Sequence, residues 1–376
     1  MTAASAADKV TGKPWQSLTT FYATTTFSEK VGRVVNNLLF SAAVYSVYAL
    51  ASGNVKPLPR PACYMLIAWA IRKIAETLVG YCTYFAIYKS QAQLQAMEEV
   101  ETQDLVRRGY SIQRISLNKS GIAYKAMLVT HPTIESNRKW CLTALGNNQA
   151  MEEGLSADVH YNFARKCNTL IINGPAVGGS FLEKLWVFPT RYQFGAGFEA
   201  GLQLLEKVVQ ATHIAIRAHS LGNGMVSEGI LQHELQIGKV AYLLISDRTF
   251  SRLSVIARIF IEHILGGTLG TVVGSVATLF CYLTGTELDG IAAAKKLTDL
   301  GLPQIIIQHG IGPGTDHVIP DEAGLAKEFP QDRHKDKYLL LSDRICHNGF
   351  VSSDVQNRLD PFIDQFLQSR SQLRFQ

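Results

Sequence analysis

The sequence predicts an α/β protein with a mostly parallel sheet and helices on both faces. Three observations predict it. Short apolar, β-branched runs recur at 169–172, 214–216, 240–245, 304–308 and 337–341. Segments of helix length, not tight turns, separate most of them, so the strands need crossovers and line up in parallel. The runs also carry consecutive apolar residues instead of alternating, as expected of strands covered on both faces.

The chain has 376 residues, ample for one large core and an appendage. It is 47% hydrophobic and only 18% charged, which points to buried helices or membrane contact. Its net charge of +5 comes without a Lys/Arg run, so nucleic acid is not an expected partner. The excess is compatible with a weak attraction to anionic lipid headgroups. Cys63, Cys82, Cys141, Cys167, Cys281 and Cys346 form no C-x-x-C pair and read as free thiols in a reducing compartment. Gly178 and Gly179 are not followed by the Lys-Ser/Thr of a phosphate loop. No metal and no cofactor is expected.

The chain divides into three parts. Residues 1–30 read as a polar tail without the basic–apolar–cleavage pattern of a secretory signal, which leaves a signal-independent export route open. Residues 31–100 read as a hydrophobic helical region. No charged residue occurs from 34 to 54, a length sufficient to cross a bilayer. After Pro57, Pro59 and Pro61 a second apolar stretch, 62–88, is interrupted by Arg72, Lys73 and Glu76, which are costly at mid-membrane depth. A hairpin in or on a membrane and an apolar layer packed on the main domain are both consistent with 34–88. A polar helix over 91–108 then leads into the main domain, 101–376.

That domain opens with alternating strands at 111–117 and 122–130 around a Gly121 turn, an antiparallel hairpin. The strand 140–145 ends in Gly146, Asn147 and Asn148, and the strand 169–172 ends in the glycine-rich stretch 173–180. A helix is expected at 201–210. An insertion at about 251–300 carries no charge from 264 to 286, and Gly266, Gly270 and Gly274 give it one bare helical face for close packing. It reads as a helical cap, either a lid that touches lipid or a buried helix over the site. Either form suggests a hydrophobic, acyl-bearing substrate.

The stretch 213–230 carries the chemistry. A short strand, 214–216, turns sharply at Ala218, His219, Ser220, Leu221 and Gly222 and continues as a helix through Val226 and Ile230. Strand, tight turn and helix are the setting of a nucleophile elbow, with Ala218 in place of the first glycine of G-x-S-x-G. Small neighbours permit the turn, and the helix N-terminus favours developing negative charge. A serine that merely caps a helix would look similar.

Two later motifs follow predicted strands: Asp316, His317, Val318, Ile319 and Pro320 after 304–308, and Cys346 and His347 after 337–341. With these in order, roughly residues 105–370 resemble the α/β-hydrolase superfamily. The resemblance implies an α/β-hydrolase fold with a cap, and a Ser–Asp–His order of catalytic residues. Ser220 would attack a carbonyl carbon, His347 would serve as base and acid, and Asp316 would orient the imidazole. The Leu221 amide, with Asn147 first or Asn148 second, would form the oxyanion hole. Asp247 is the alternative acid. Asp316 is also a candidate Asx-turn residue, and His347 a candidate loop histidine. His309 and His317 are weaker bases, Cys346 is not expected to be a nucleophile, and His219 reads as a packing or hydrogen-bonding residue. More narrowly, the blocks 144–148 with Met151 and Glu152, 173–180, and 245–250 resemble uncharacterised chlamydial 43 kDa proteins and Legionella SidB-type effectors. That likeness brings no substrate.

The expected function is thus a serine hydrolase of an ester or thioester, acting on a small molecule or lipid at or near a membrane surface. Ala218 motivates a second expectation, a non-catalytic binding protein or secreted effector with this fold. A membrane-anchored structural protein is the third.

Overall fold

The computed structural model describes residues 18–52, 62, 65–66, 68–70, 91–119, 121–134, 138–146, 150–174, 191–309, 316, 318–329, 338–343, 347 and 351–369. Among the described residues nine strands form one sheet: β1 (Thr20–Tyr22), β2 (Ser111–Lys119), β3 (Ile122–Thr130), β4 (Lys139–Ala144), β5 (Asn168–Ile172), β6 (His213–His219), β7 (Ala241–Asp247), β8 (Gln304–His309) and β9 (Tyr338–Asp343). Their order is β1-β2-β3-β5-β4-β6-β7-β8-β9. β2 and β3 make the expected hairpin, and β3 is also antiparallel to β5. From β5 to β9 every neighbouring pair is parallel. Within the expected polar tail, β1 adds a short strand parallel to β2 at the sheet edge.

The helices are α1 (Phe27–Ser52), α2 (Gln91–Arg107), α3 (Leu155–Ala164), α4 (Arg191–Lys207), α5 (Gly222–Gln232), α6 (Leu253–Leu265), α7 (Gly267–Thr284), α8 (Gly290–Asp299) and α9 (Ser353–Gln368). Alternate strand residues serve opposite faces. Leu142, Ile214, Ile216 and Leu244 join Phe198, Leu202, Met225, Val226 and Leu297 from α4, α5 and α8 on one face. Cys141, Ala215, Leu243 and Ile305 join Val355, Leu359, Ile363 and Phe366 of α9 on the other. The α9 residues follow near-i,i+4 spacing, one apolar stripe along the helix. The Ser352 hydroxyl caps this helix by accepting from the Val355 amide. α4 and α5 touch backbone to backbone, because a Cβ on Gly195 would lie 2.6 Å from the Glu228 Cβ.

The parallel strands, the hairpin at one edge and the helices on both faces make this an α/β-hydrolase fold, as the sequence predicts. Strand order reverses around β4, which has β5 on one side and β6 on the other. Such a switch point leaves a crevice at the carboxyl ends of the strands, where ligands bind. Ser220 follows the last residue of β6, at that crevice.

The insertion forms the α6–α7 hairpin, while α8 returns to the core through Ala293 and Leu297. Gly270 and Gly274 face α6, where added Cβ atoms would meet Glu262 and Arg258. The reading of a buried cap helix needs correction. Leu269, Val276 and Leu283 of α7 are exposed, because α6 covers only one side of it. No helix among the described residues is long and apolar enough to cross a membrane. Most of the second apolar stretch, 62–88, lies outside the described residues; in α1, Val34, Leu38 and Tyr48 are exposed. Cys141, Cys167 and Cys281 are buried free thiols.

A buried charged cluster ties α4 to the sheet and to the end of α5. The Lys119 ammonium lies 2.6 Å from Glu199, and His233 Nε2 lies 2.9 Å from Glu206. Tyr242 donates to the same Glu206 carboxylate. Burial opposes charge on His233, but the carboxylates of Glu199 and Glu206 outweigh it and raise the imidazole above its usual 6.5. A raised folded-state value means that protonation stabilises the fold fully below the unfolded value. That stabilisation is lost as pH rises through the folded value. In urea denaturation the wild type should therefore lose stability from pH 6.5 upward, with a slope that His233→Gln lacks. Equal slopes for the two proteins would refute the role of His233.

Candidate active site

The turn after β6 is backbone-strained. Ser220 has φ +50°, the left-handed region that a residue with a Cβ rarely enters. The Ser220 amide donates to the Asp247 carbonyl at 3.1 Å. The amides of Asn223 and Gly224 then close the first turn of α5 on the carbonyls of Ser220 and Leu221. Ala218 is fully buried as a core residue and fits where the superfamily pattern has glycine. Gly222 has no such freedom. A Cβ there would sit 2.5 Å from the carbonyl oxygens of both Ala144 and Leu145. The start of α5 and the end of β4 therefore meet backbone to backbone, directly beside Ser220.

The structure brings three of the expected residues together. His347 Nε2 lies 2.8 Å from Ser220 Oγ. Its Nδ1 lies 2.9 Å from Asp316 Oδ2. These partners assign the tautomer: Nδ1–H donates to the carboxylate, and Nε2 accepts from the serine hydroxyl. Ser220 and His347 are buried. The other carboxylate oxygen of Asp316 accepts from the amides of Val318 and Ile319 at 2.8 and 3.0 Å. Asp316 is thus an Asx-turn residue with one oxygen and a histidine partner with the other. Burial raises its pKa, but hydrogen bonds from His347 and those two amides lower it more, so the carboxyl is held below its usual value. The turn fixes the carboxylate and keeps it charged.

The remaining candidates fall elsewhere. Asp247, the alternative acid, is paired with Arg248 through two hydrogen bonds, 2.7 Å from Nε and 2.9 Å from Nη2. Burial raises its pKa, while the Arg248 guanidinium more than offsets this and holds it low. The Asp247 carboxylate pairs with Arg248, and it is the Asp316 carboxylate that meets His347. Leu221 stands at the N-terminus of α5, one residue beyond the nucleophile candidate. Asn147, Asn148, His317 and Cys346 lie outside the described residues. His219 Nε2 lies 2.9 Å from the carbonyl oxygen of His347, not from Ser220 Oγ. Among the described residues no group of three or more His, Cys, Asp or Glu side chains is arranged to hold a metal.

Two supporting groups escaped the sequence reading. Arg248 has φ +49°, and its amide donates to the Ile307 carbonyl at 2.8 Å. It anchors the strand end that receives the Ser220 amide. Asn173 holds the far side of the loop after β4: its Oδ1 accepts from the Met151 amide at 2.8 Å, and its Nδ2 donates to Glu152 at 3.0 Å. Lys125 bridges that same Glu152 to Glu98, at 2.7 and 2.6 Å. Glu152 and Asn173 do lie in sequence blocks already noted, but residues far apart in sequence signal no pairing.

No protein-family model and no curated protein matches the sequence. Solved structures with a similar chain path exist. The Pyrococcus furiosus esterase Pf2001 is 13% identical with a TM-score of 0.49, over 71% of this chain and 92% of that one. A 2,6-dihydroxy-pseudo-oxynicotine hydrolase is 14% identical with a TM-score of 0.49, over 94% and 96%. Brefeldin A esterase, a bacterial homologue of human hormone-sensitive lipase, is 10% identical with a TM-score of 0.45, over 80% and 95%. The activities in those names belong to those proteins.

The Asp247–Arg248 pair supplies a test of structural against chemical roles. Arg248→Met should leave Asp247 buried without its hydrogen-bonded counter-charge and destabilise the fold by about 3–5 kcal/mol. Chemical denaturation reads this directly. A change below about 0.5 kcal/mol would show that the pair does not buttress the turn.

Proposed function

We propose that this chain is a serine hydrolase that cleaves an ester or thioester of a hydrophobic, acyl-bearing substrate. The observation that carries the reading is the continuous hydrogen-bonded series from Ser220 Oγ through His347 to Asp316, with both bonds under 3 Å. It favours an enzyme over a binding protein with this fold.

In this reading His347 Nε2 takes the hydroxyl proton as Ser220 Oγ bonds to the substrate carbonyl carbon. The imidazolium formed is stabilised by the Asp316 carboxylate. The carbonyl π electrons move to oxygen, and the Leu221 amide at the start of α5 would donate to that oxyanion. A second donor is expected from Asn147 or Asn148. Each such donor lowers the barrier by about 3–4 kcal/mol. Collapse of the intermediate breaks the bond to the alcohol or thiol, which leaves with the proton from Nε2. Water then repeats the sequence on the acyl-enzyme and releases the acid.

The exposed apolar residues of α7 support a hydrophobic substrate and action at a lipid surface. On the same reading residues 101–376 are the hydrolase domain, about 251–300 its cap, 31–100 a hydrophobic helical region and 1–30 a tail. The narrower chlamydial and Legionella likeness rests on sequence blocks alone and adds no substrate.

A fluorophosphonate probe should label the wild type at Ser220, located by peptide mass spectrometry, and Ser220→Ala should not be labelled. Absence of labelling in folded wild type would defeat the reading. Asp316→Asn should lower kcat toward a p-nitrophenyl ester by on the order of 10⁴-fold while melting near the wild type, because the amide stabilises the wrong imidazole tautomer. Asp316→Asn that kept near-wild-type turnover would remove Asp316 from the mechanism.

A further inference from the structure

We propose that His219 is a positioning residue: its Nε2–H holds the backbone carbonyl of His347, so that the nucleophile turn itself fixes the place of the base. The inference rests on the serine hydrolase reading above and adds a residue to it.

His219 is the last residue of β6 and immediately precedes Ser220. Its Nε2 lies 2.9 Å from the His347 carbonyl oxygen, and the two imidazole rings are 5.0 Å apart, tilted by 43°. A carbonyl oxygen only accepts, so Nε2 must carry the hydrogen. Nδ1 is then a bare acceptor. It is shut off from solvent and has no hydrogen-bond partner among the described residues. An unmet buried acceptor is destabilising, which makes this an arrangement held against a cost.

The need for such a hold follows from topology. His347 comes after β9, and β7 and β8 separate that strand from β6. The bonds to Ser220 and Asp316 both act on the imidazole, whereas the His219 bond acts on the backbone that carries it. The His219 bond holds that backbone from the end of a central strand, where His219 is registered with Asp247 of β7. Chemistry agrees with geometry. Burial, aided by the neighbouring His347 and Arg248 and opposed by Asp247, pushes His219 down to about 4. At neutral pH it stays uncharged and brings no second cation against the imidazolium that forms on His347.

The test uses the full-length chain with His219→Ala and His219→Gln. The glutamine amide reaches about as far as Nε2 and still donates, while alanine cannot. The rate of fluorophosphonate labelling of Ser220 should fall about 10- to 100-fold in His219→Ala, as expected for a misplaced base. With a p-nitrophenyl ester, kcat should fall while KM stays near the wild-type value. Hydrogen–deuterium exchange of the peptide carrying His347 should rise. His219→Gln should recover most of the labelling rate and of the protection. Wild-type labelling and exchange in His219→Ala would overturn the proposal. So would a His219→Gln protein that melts like the wild type and is as impaired as alanine, since packing and not donation would then be at work. If the wild type itself resisted the probe, the hydrolase reading would fail, and unchanged exchange in His219→Ala would overturn the hold separately.

Discussion

Everything at the candidate site depends on one close approach, the start of α5 against the end of β4. With no side chain at Gly222, the two backbones come within contact distance. That contact lets the chain leave β6 through a left-handed residue, Ser220, and enter a helix at once. The strain of a non-glycine at positive φ is offset by what surrounds it: the Asp247 carbonyl takes the Ser220 amide, and the Asp247–Arg248 pair fixes the end of β7. Strain held by its surroundings is what presents the Ser220 hydroxyl to His347 at the start of α5.

Around this point the fold brings three separate chain segments to one crevice. Parallel strands put all their carboxyl ends on one side, so Ser220 after β6, Asp316 after β8 and His347 after β9 meet there. Asp316 shows how one residue serves both fold and chemistry. Its first oxygen closes a turn on two amides, and its second meets His347. The turn makes the carboxylate rigid and keeps it ionised, and both properties are needed to hold an imidazole in one tautomer.

The buried charges elsewhere belong to the scaffold. Lys119, Glu199, Glu206, His233 and Tyr242 satisfy one another beneath α4. Lys125, Glu152 and Asn173 do the same on the other flank and pin the segment that follows the loop after β4. Removing one partner from such groups is costly, whereas the intact groups fix which elements sit together.

The sequence by itself determined the strand runs, the hairpin at the sheet edge and the elbow, because apolar period, turn residues and small flanking residues are local properties. It also placed Ser220, Asp316 and His347 in order along the chain. It preferred Asp316 and kept Asp247 as the alternative acid, because each stands at or beyond the end of a strand that points to the same crevice. The tertiary structure separates the two by their partners: Arg248 pairs with Asp247, and Asp316 faces His347. Only the tertiary structure showed that α7 is covered on one side alone, since a run of apolar residues reads the same whether buried or exposed. It alone brought the His219 ring to the carbonyl of His347, because hydrogen bonds between residues 128 positions apart leave no trace in local pattern.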